Sequence, residues 1–565
     1  MSKETLVSVQ DLFITYREAS GPALRGVSVE LGAGELVVVM GASGAGKSTL
    51  CRCLNGIIPN FLQATLEGRV AIRGRDTREL RVADCARHVG LVFQDFESQL
   101  FATNVELEVA FGAESLGLPR EEIAARVREL LGLVGLSHLA GRPPASLSGG
   151  EKQRLAIAAA LAVSPDVLVL DEATSDLDPV GKSSIFDLAR RLVSEAAGRA
   201  VVFAHHDAEE AVHASRVLLL AEGRPTALGP PERVLADPEL LSANGVAPLA
   251  VTSVFAALGL EDRPFDEREG AETLLRRGVR VTPEAIARWQ ERDAARARDY
   301  GAPMIEARDL THCYDGQPAI EGINLTVRRG EHVAIIGQNG SGKTTLVKHF
   351  NGLLRPTNGE VVIAREPSRE QRLRELAARV GYVFQNPDNQ IFAPTVFEEV
   401  AFGPRNFGAS EEEVRGRVAE ALGAVGFVGR ESEDPFSVTK GERQRIAVAS
   451  VLAVRPEVLI FDEPTTGLDD RESRSMMALV DQLNRRGHTI IVVTHAMWLA
   501  ADYAHRVVVM HEGRIILDAP TRAAFSHVEA LRRAGIIPPQ VVRLSSRLGG
   551  VALSPAELLE AIRPG

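Results

Sequence analysis

Short apolar runs recur along the chain, and each stops abruptly at glycines, acids or a histidine. They are Leu36-Val-Val-Val-Met40, Val167-Leu-Val-Leu170 and Val201-Val-Phe203 in the first half, and Val333-Ala-Ile-Ile336, Val458-Leu-Ile-Phe461 and Ile490-Ile-Val-Val493 in the second. Apolar runs of this length without polar alternation predict strands buried on both faces, as in a parallel sheet, with ligands gathering where the strands end. The two halves match at an offset of 289 to 296 residues. A period that long means two whole domains rather than a solenoid. Beyond the first sheet, Gly245-Val-Ala-Pro248 leading to Leu258-Gly259 recurs as Gly535-Ile-Ile-Pro538 leading to Leu548-Gly549, so a small appendix is duplicated as well. Thr282-Pro283 and Ser554-Pro555 each read as an N-cap with proline at the first helical position, predicting a short closing helix in both appendices. The charged stretch Glu291 to Ala302 is the expected linker. The expected boundaries are 1–240 and 303–525 for the large domains, 241–302 for the first appendix with its linker, and 526–565 for the second appendix.

Composition narrows the field. With 565 residues, 45% of them hydrophobic, the chain can fill more than one core and disorder is not expected. A formal charge of −11 gives no global electrostatic footprint for nucleic acid. The four cysteines are few, and Met1-Ser-Lys-Glu4 opens without a signal-peptide pattern, which predicts a reducing cytoplasm. Cys51 and Cys53, two apart on a helix, point in different directions and read as buried structural thiols, not as a metal pair. The most apolar stretch, Leu155 to Leu170, is broken by Ser164-Pro165-Asp166 and falls short of the ~20 residues needed to cross a bilayer.

The polar residues at the strand ends carry the chemistry. Gly41-Ala-Ser-Gly44-Ala-Gly46-Lys47-Ser48 and Gly337-Gln-Asn-Gly340-Ser-Gly342-Lys343-Thr344 are phosphate-binding loops. Their glycines let backbone N–H groups close around phosphate oxygens, the following helix presents its positive end, and Lys47 or Lys343 reaches the β and γ phosphates of a nucleotide such as ATP. Ser48 and Thr344 are the expected Mg²⁺ ligands, and Thr49 and Thr345 follow them against the nucleotide. Asp171-Glu172 and Asp462-Glu463 end the second apolar run of each half, so one carboxylate can meet the Mg²⁺ shell while Glu172 or Glu463 polarises the attacking water.

Leu147-Ser148-Gly149-Gly150-Glu-Lys-Gln-Arg154, standing just before Asp171, resembles the signature motif of ATP-binding cassette (ABC) proteins. The resemblance implies an α/β fold of two tandem P-loop NTPase ABC cassettes, each with its small C-terminal helical appendix. It further implies that Tyr16 and Tyr314 stack on adenine, that Gln94 and Gln385 are Q-loop glutamines joining the Mg²⁺ shell, that Asp178 and Asp469 end the D-loops, and that His206 and His495 are catalytic switch histidines. His205 is the less suited neighbour, because the family usually has threonine there, as in Thr494-His495. The second signature reads Thr439-Lys440-Gly441, keeping a hydroxyl and one closely approaching glycine, so two unequal but active ATP sites are expected. Around the Q-loops, Val92-Phe-Gln-Asp-Phe-Glu-Ser-Gln-Leu-Phe-Ala102 and Val383-Phe-Gln-Asn-Pro-Asp-Asn-Gln-Ile-Phe-Ala393, each followed by Val-Ala-Phe-Gly, resemble energy-coupling-factor (ECF) transporter ATPases. That narrower resemblance implies a motor on the cytoplasmic face of the membrane, importing a vitamin, a vitamin precursor or a transition-metal ion. Its partners would be an ECF transmembrane scaffold subunit, docking beside the Q-loops, and a membrane substrate-binding subunit. Asp95, Glu97 and Asp388 are the acids offered to arginines of such a scaffold. A tandem cassette acting on the ribosome is the alternative. Residues 261–300 carry nine arginines against ten acids, a balance unlike an RNA-gripping arm. A chromosome-type ATPase would need a heptad insertion that is absent between loop and signature.

Overall fold

The computed structural model describes residues 4–563 other than 18, 20, 175, 176, 196 and 197. The chain divides into two compact units, one built on residues up to 256 with 261–265, the other on residues 266–565 with 257–260. In the first unit the apolar runs form a six-stranded sheet in the order 224–229, 216–221, 36–40, 200–204, 167–171 and 89–92. All but the first of these strands pair in parallel. Leu36–Met40 and Val167–Asp171 are buried at every position, as a strand covered on both faces must be. A four-stranded antiparallel sheet, ordered 24–32, 5–16, 64–72 and 75–76, covers one face. The second unit repeats both sheets, the six-stranded one ordered 380–383, 458–462, 489–494, 332–336, 506–511 and 514–520. This is the parallel sheet, buried on both faces, that the apolar runs predict.

Residues 266–302, expected to close the first appendix and link the halves, group with the second unit. The charged stretch from Glu291 is not an extended linker: Pro283–Arg298 is one helix, capped by Thr282, whose side chain accepts from the Ala285 amide. It is ordered by partners far along the chain. Trp289 is buried beneath the Arg522 guanidinium, 4.6 Å from the ring centroid. Arg522 also pairs with Asp293 at 2.9 Å and with Glu557 at 2.9 Å, and Arg292 meets the same Glu557. Burial opposes charge on Glu557, yet the arginines hold its carboxyl below the usual range. Arg280–Val281 pairs with Ile562–Arg563 as a two-stranded ribbon. The second closing helix, Pro555–Ala561, is short as expected and is capped by Ser554.

Each appendix also touches its own phosphate-binding loop. Gly245 sits at φ +70°, and a Cβ there would lie 2.7 Å from Ala42 Cβ. Gly535, at φ +62°, would place one 2.0 Å from Gln338 Nε2. Beside the first of these turns, Ala247 bridges to Asp207.

Candidate functional site

Both phosphate-binding loops close in the same way. Gly46 and Gly342 cap the helices Lys47–Leu54 and Lys343–Phe350 at φ +99° and +96°. A Cβ at either position would lie 2.8 Å from a backbone oxygen, Ala23 O in one case and Ala319 O in the other. Glycine is therefore required for close packing as well as for its backbone angle. Lys47 and Lys343 are buried, and each donates to two loop carbonyls at 2.9 Å: Gly41 and Ala42, or Gly337 and Gln338. A buried ammonium that borders a ring of backbone N–H groups suits a polyphosphate.

Across from each lysine stand the carboxylate pairs. Ser48 donates to Asp171 Oδ1 at 2.9 Å, and Thr344 to Asp462 at 3.1 Å. Glu172 forms an ion pair with Lys47 at 3.1 Å and accepts from Gln94 at 2.9 Å. Glu463 instead meets His495, Nδ1 lying 2.9 Å from its carboxylate. Both glutamates adopt left-handed backbone, φ +48° and +49°. For a residue with a Cβ this costs on the order of 1 kcal/mol, and such strain gathers where a side chain must be aimed at chemistry. Burial pushes the Asp171 carboxyl up to about 6, against the lowering effect of the Ser48 hydrogen bond. Burial likewise raises Asp462, opposed first by a hydrogen bond from Tyr382.

His206 is held below the usual histidine range by burial and by nearby Lys182, while Glu172 pulls it upward. Its neighbour His205 is fully buried, with Nδ1 3.5 Å from the Thr174 hydroxyl. Tyr16 packs beside the first loop, its hydroxyl 3.1 Å from Thr49 Oγ1. Tyr314 is exposed and meets His312 edge-on at 4.7 Å. Gln385 is exposed just past the strand Val380–Val383. The described residues thus assemble loop lysine, hydroxyl and carboxylate pair in both cassettes, with the Gln94 contact joining the first and the His495 contact the second.

The signature residues begin helices. Ser148 and Thr439 are N-caps with complete capping boxes to Glu151 and Glu442, so Gly149-Gly150 and Lys440-Gly441 form the first turns. Two of the acids expected to face a docking partner also make ion pairs within their own cassette. Glu97 pairs with Lys152 at 2.9 Å and Asp388 with Arg443 at 2.7 Å, tying each Q-loop segment to its signature helix.

Further residues without an evident motif hold the same segments. Glu108 is buried and accepts from the Phe101 and Ala102 amides at 2.9 and 2.7 Å; Glu399 does the same for Phe392 and Ala393 at 2.9 Å each. Gln99 accepts from Phe93 N, and Gln390 from Phe384 N. The duplicated Gln and Glu positions are visible in the repeat, but only the fold shows that they serve one loop. So held, Phe101 and Phe392 project outward, 63% and 61% exposed, each edge-on to a second exposed ring, Phe111 at 4.7 Å or Phe402 at 4.8 Å.

Comparison with known proteins follows the same division. The ABC transporter family model matches residues 24–175 and 320–466. An ABC transporter ATP-binding protein of Caldanaerobacter subterraneus is 47% identical over 562 residues, 99% of each chain. Another from Methanosarcina acetivorans is 40% identical, covering 99% of this chain and 93% of the relative. Among solved structures, cbiO1 from Clostridium perfringens, described as part of the ABC transporter complex cbiONQ, is 36% identical over 41% of this chain and 94% of that one, with a TM-score of 0.38.

Proposed function

The chain belongs to the ATP-binding proteins of ABC transporters, carries two ATP-hydrolysing cassettes, and from that premise we propose that it is the motor of an ECF-type importer. Its cargo would be a vitamin, a vitamin precursor or a transition-metal ion. The observation that carries this reading is the outward aromatic pair on each Q-loop segment, Phe101 with Phe111 and Phe392 with Phe402. Exposed rings paired between the loop and the helix that follows it form an apolar seat, and its place after Gln94 or Gln385 would let a seated membrane helix move the ATP site. No helix among the described residues is long and apolar enough to cross a membrane, so the seat would receive a separate transmembrane scaffold. That would place the chain peripherally on the cytoplasmic face.

Within each site, Lys47 or Lys343 would bind the β and γ phosphates, and Glu172 or Glu463 would take the proton from the attacking water. His206 or His495 would steady the γ-phosphate. The residues present fit Mg²⁺: Asp171 Oδ2 is buried with no hydrogen-bond partner among the described residues, and it stands beside the Ser48 hydroxyl, a hard-oxygen pair of the kind this ion takes. Ser48, Asp171 and Gln94, or Thr344, Asp462 and Gln385, would hold it. Bound there, Mg²⁺ would neutralise charge developing on the phosphate oxygens. Breaking the pair between Lys47 and Glu172 on nucleotide arrival would free both, the lysine for phosphate and the glutamate for water.

The test is membrane recovery. Replacing Phe111 and Phe402 with aspartate should release the chain from membranes that contain its partners, while ATP turnover of the purified chain stays within about twofold. Retention on those membranes would refute the seat.

A further inference from the structure

The two carboxylates placed for Mg²⁺ are not held alike. Strand Val380–Val383 lies parallel to strand Val458–Asp462, and from it the buried Tyr382 donates its hydroxyl to Asp462 Oδ2 at 2.6 Å. Thr344 donates to the same carboxylate at 3.1 and 3.3 Å, so Asp462 is gripped from two sides. In the first cassette, the matching position on strand Val89–Val92 is Leu91, equally buried, and it has no hydroxyl to give. Asp171 is then held by Ser48 on Oδ1, while Oδ2 is without a partner among the described residues.

A hydrogen bond to a ligating carboxylate fixes its plane and reduces the ordering that must accompany metal binding. Each carboxylate oxygen offers two lone-pair directions, so accepting from Tyr382 still leaves Asp462 able to face a cation. The tyrosine packs among Leu346, Val347 and Phe350 of the helix that follows the loop, and it acts through Asp462.

We propose that Tyr382 is a positioning residue that orients Asp462 toward the divalent cation, and that it makes the second site the tighter of the two for Mg²⁺ with nucleotide. The inference rests on the reading that Asp171 and Asp462 face Mg²⁺. It goes beyond that reading by ranking the sites from within each cassette, independently of the signature difference at Lys440.

The experiment uses the full chain, a non-hydrolysable ATP analogue and Mn²⁺ as the probe, with free Mn²⁺ read by electron paramagnetic resonance. Two classes of bound Mn²⁺ are expected. Tyr382→Phe keeps the ring and should weaken the tighter class about 10-fold, the lower end of what loss of an outer partner does, while the melting temperature and metal-free nucleotide binding stay put. Leu91→Tyr should tighten the weaker class. Turnover lost in Tyr382→Phe should return at higher Mg²⁺, a shift in the Mg²⁺ requirement with kcat preserved. An unchanged isotherm in Tyr382→Phe beside a weakened one in Asp462→Asn overturns the inference and leaves the site reading standing. Unchanged isotherms in both variants overturn the site reading itself. If Tyr382→Phe does not fold, Leu91→Tyr decides: no tightening of the weaker class rejects the proposal.

Discussion

At the scale of single residues, the ATP sites depend on buried charges whose partners are also the groups they must release. Lys47 pairs with Glu172 and with two loop carbonyls, so removing its ammonium withdraws the cation that γ-phosphate would otherwise meet. The double variant Lys47→Ala with Lys343→Ala should lose ATP turnover by at least about 10³-fold, read as phosphate release, since electrostatic stabilisation of the transferring group is the main catalytic resource here. Persistent turnover would contradict the placement of both loops. Glu172→Gln and Glu463→Gln should each retain nucleotide binding and slow single-turnover hydrolysis, with the larger loss from Glu463→Gln because its site has the better-held Asp462. Equal losses would mean that the two sites fire as one. The loop lysines, hydroxyls and carboxylate pairs were legible in the sequence because each lies within a few residues of a strand end. Tyr382 was not, since in Val380-Gly-Tyr-Val383 it reads as one more apolar strand position and its partner is 80 residues away.

At the scale of elements, the segments beside the Q-loops are held by side chains from the helix that follows them. Glu108 and Glu399 each satisfy two backbone amides, and no shorter residue reaches both. Glu108→Ala should cost about 2 kcal/mol, the value of a charge-assisted hydrogen bond lost with its amide left unpaired. The same change should open residues 100–103 to protease while leaving ATP affinity near that of the parent. Limited proteolysis beside nucleotide titration reads both, and an unaltered cleavage pattern would show that the loop is held elsewhere. The sheets could be foreseen because a run of buried apolar residues is a local property. Of the helix Pro283–Arg298, the start at Thr282-Pro283 could be foreseen, but its run through the expected linker could not. Its charges looked solvated in sequence, and the groups that order it, Arg522 and Glu557, lie more than 200 residues onward. The cations that Glu97 and Asp388 meet were hidden for the same reason, Lys152 and Arg443 being 55 residues away.

At the scale of the whole molecule, duplication has given each unit its own buried histidine, His205 in the first and His332 in the second, at positions that do not correspond. His332 opens the central strand of the second sheet fully buried, with neither ring nitrogen bonded among the described residues, where the first sheet has Leu36. Burial pushes His332 down to about 3 and His505 beside it to about 4. The unfolded chain takes these protons near pH 6.5 and the folded unit does not, so stability is whole above that value and falls as pH drops below it. At pH 5 His332 alone should remove about 2 kcal/mol from the second unit. His332→Leu should abolish that share, measured as the difference between urea unfolding at pH 7 and at pH 5. A pH dependence identical to the parent's would place the acid sensitivity elsewhere.

The turns at Gly245 and Gly535 make a last point about inheritance. Each leans on the second residue of its own phosphate-binding loop so closely that one methyl group would have to displace it. The contact recurs in both halves, so this turn and the phosphate-binding loop were duplicated as one packed pair. A partner that grips an appendix, or a nick that loosens one, would be felt at ATP without any residue that touches ATP having changed.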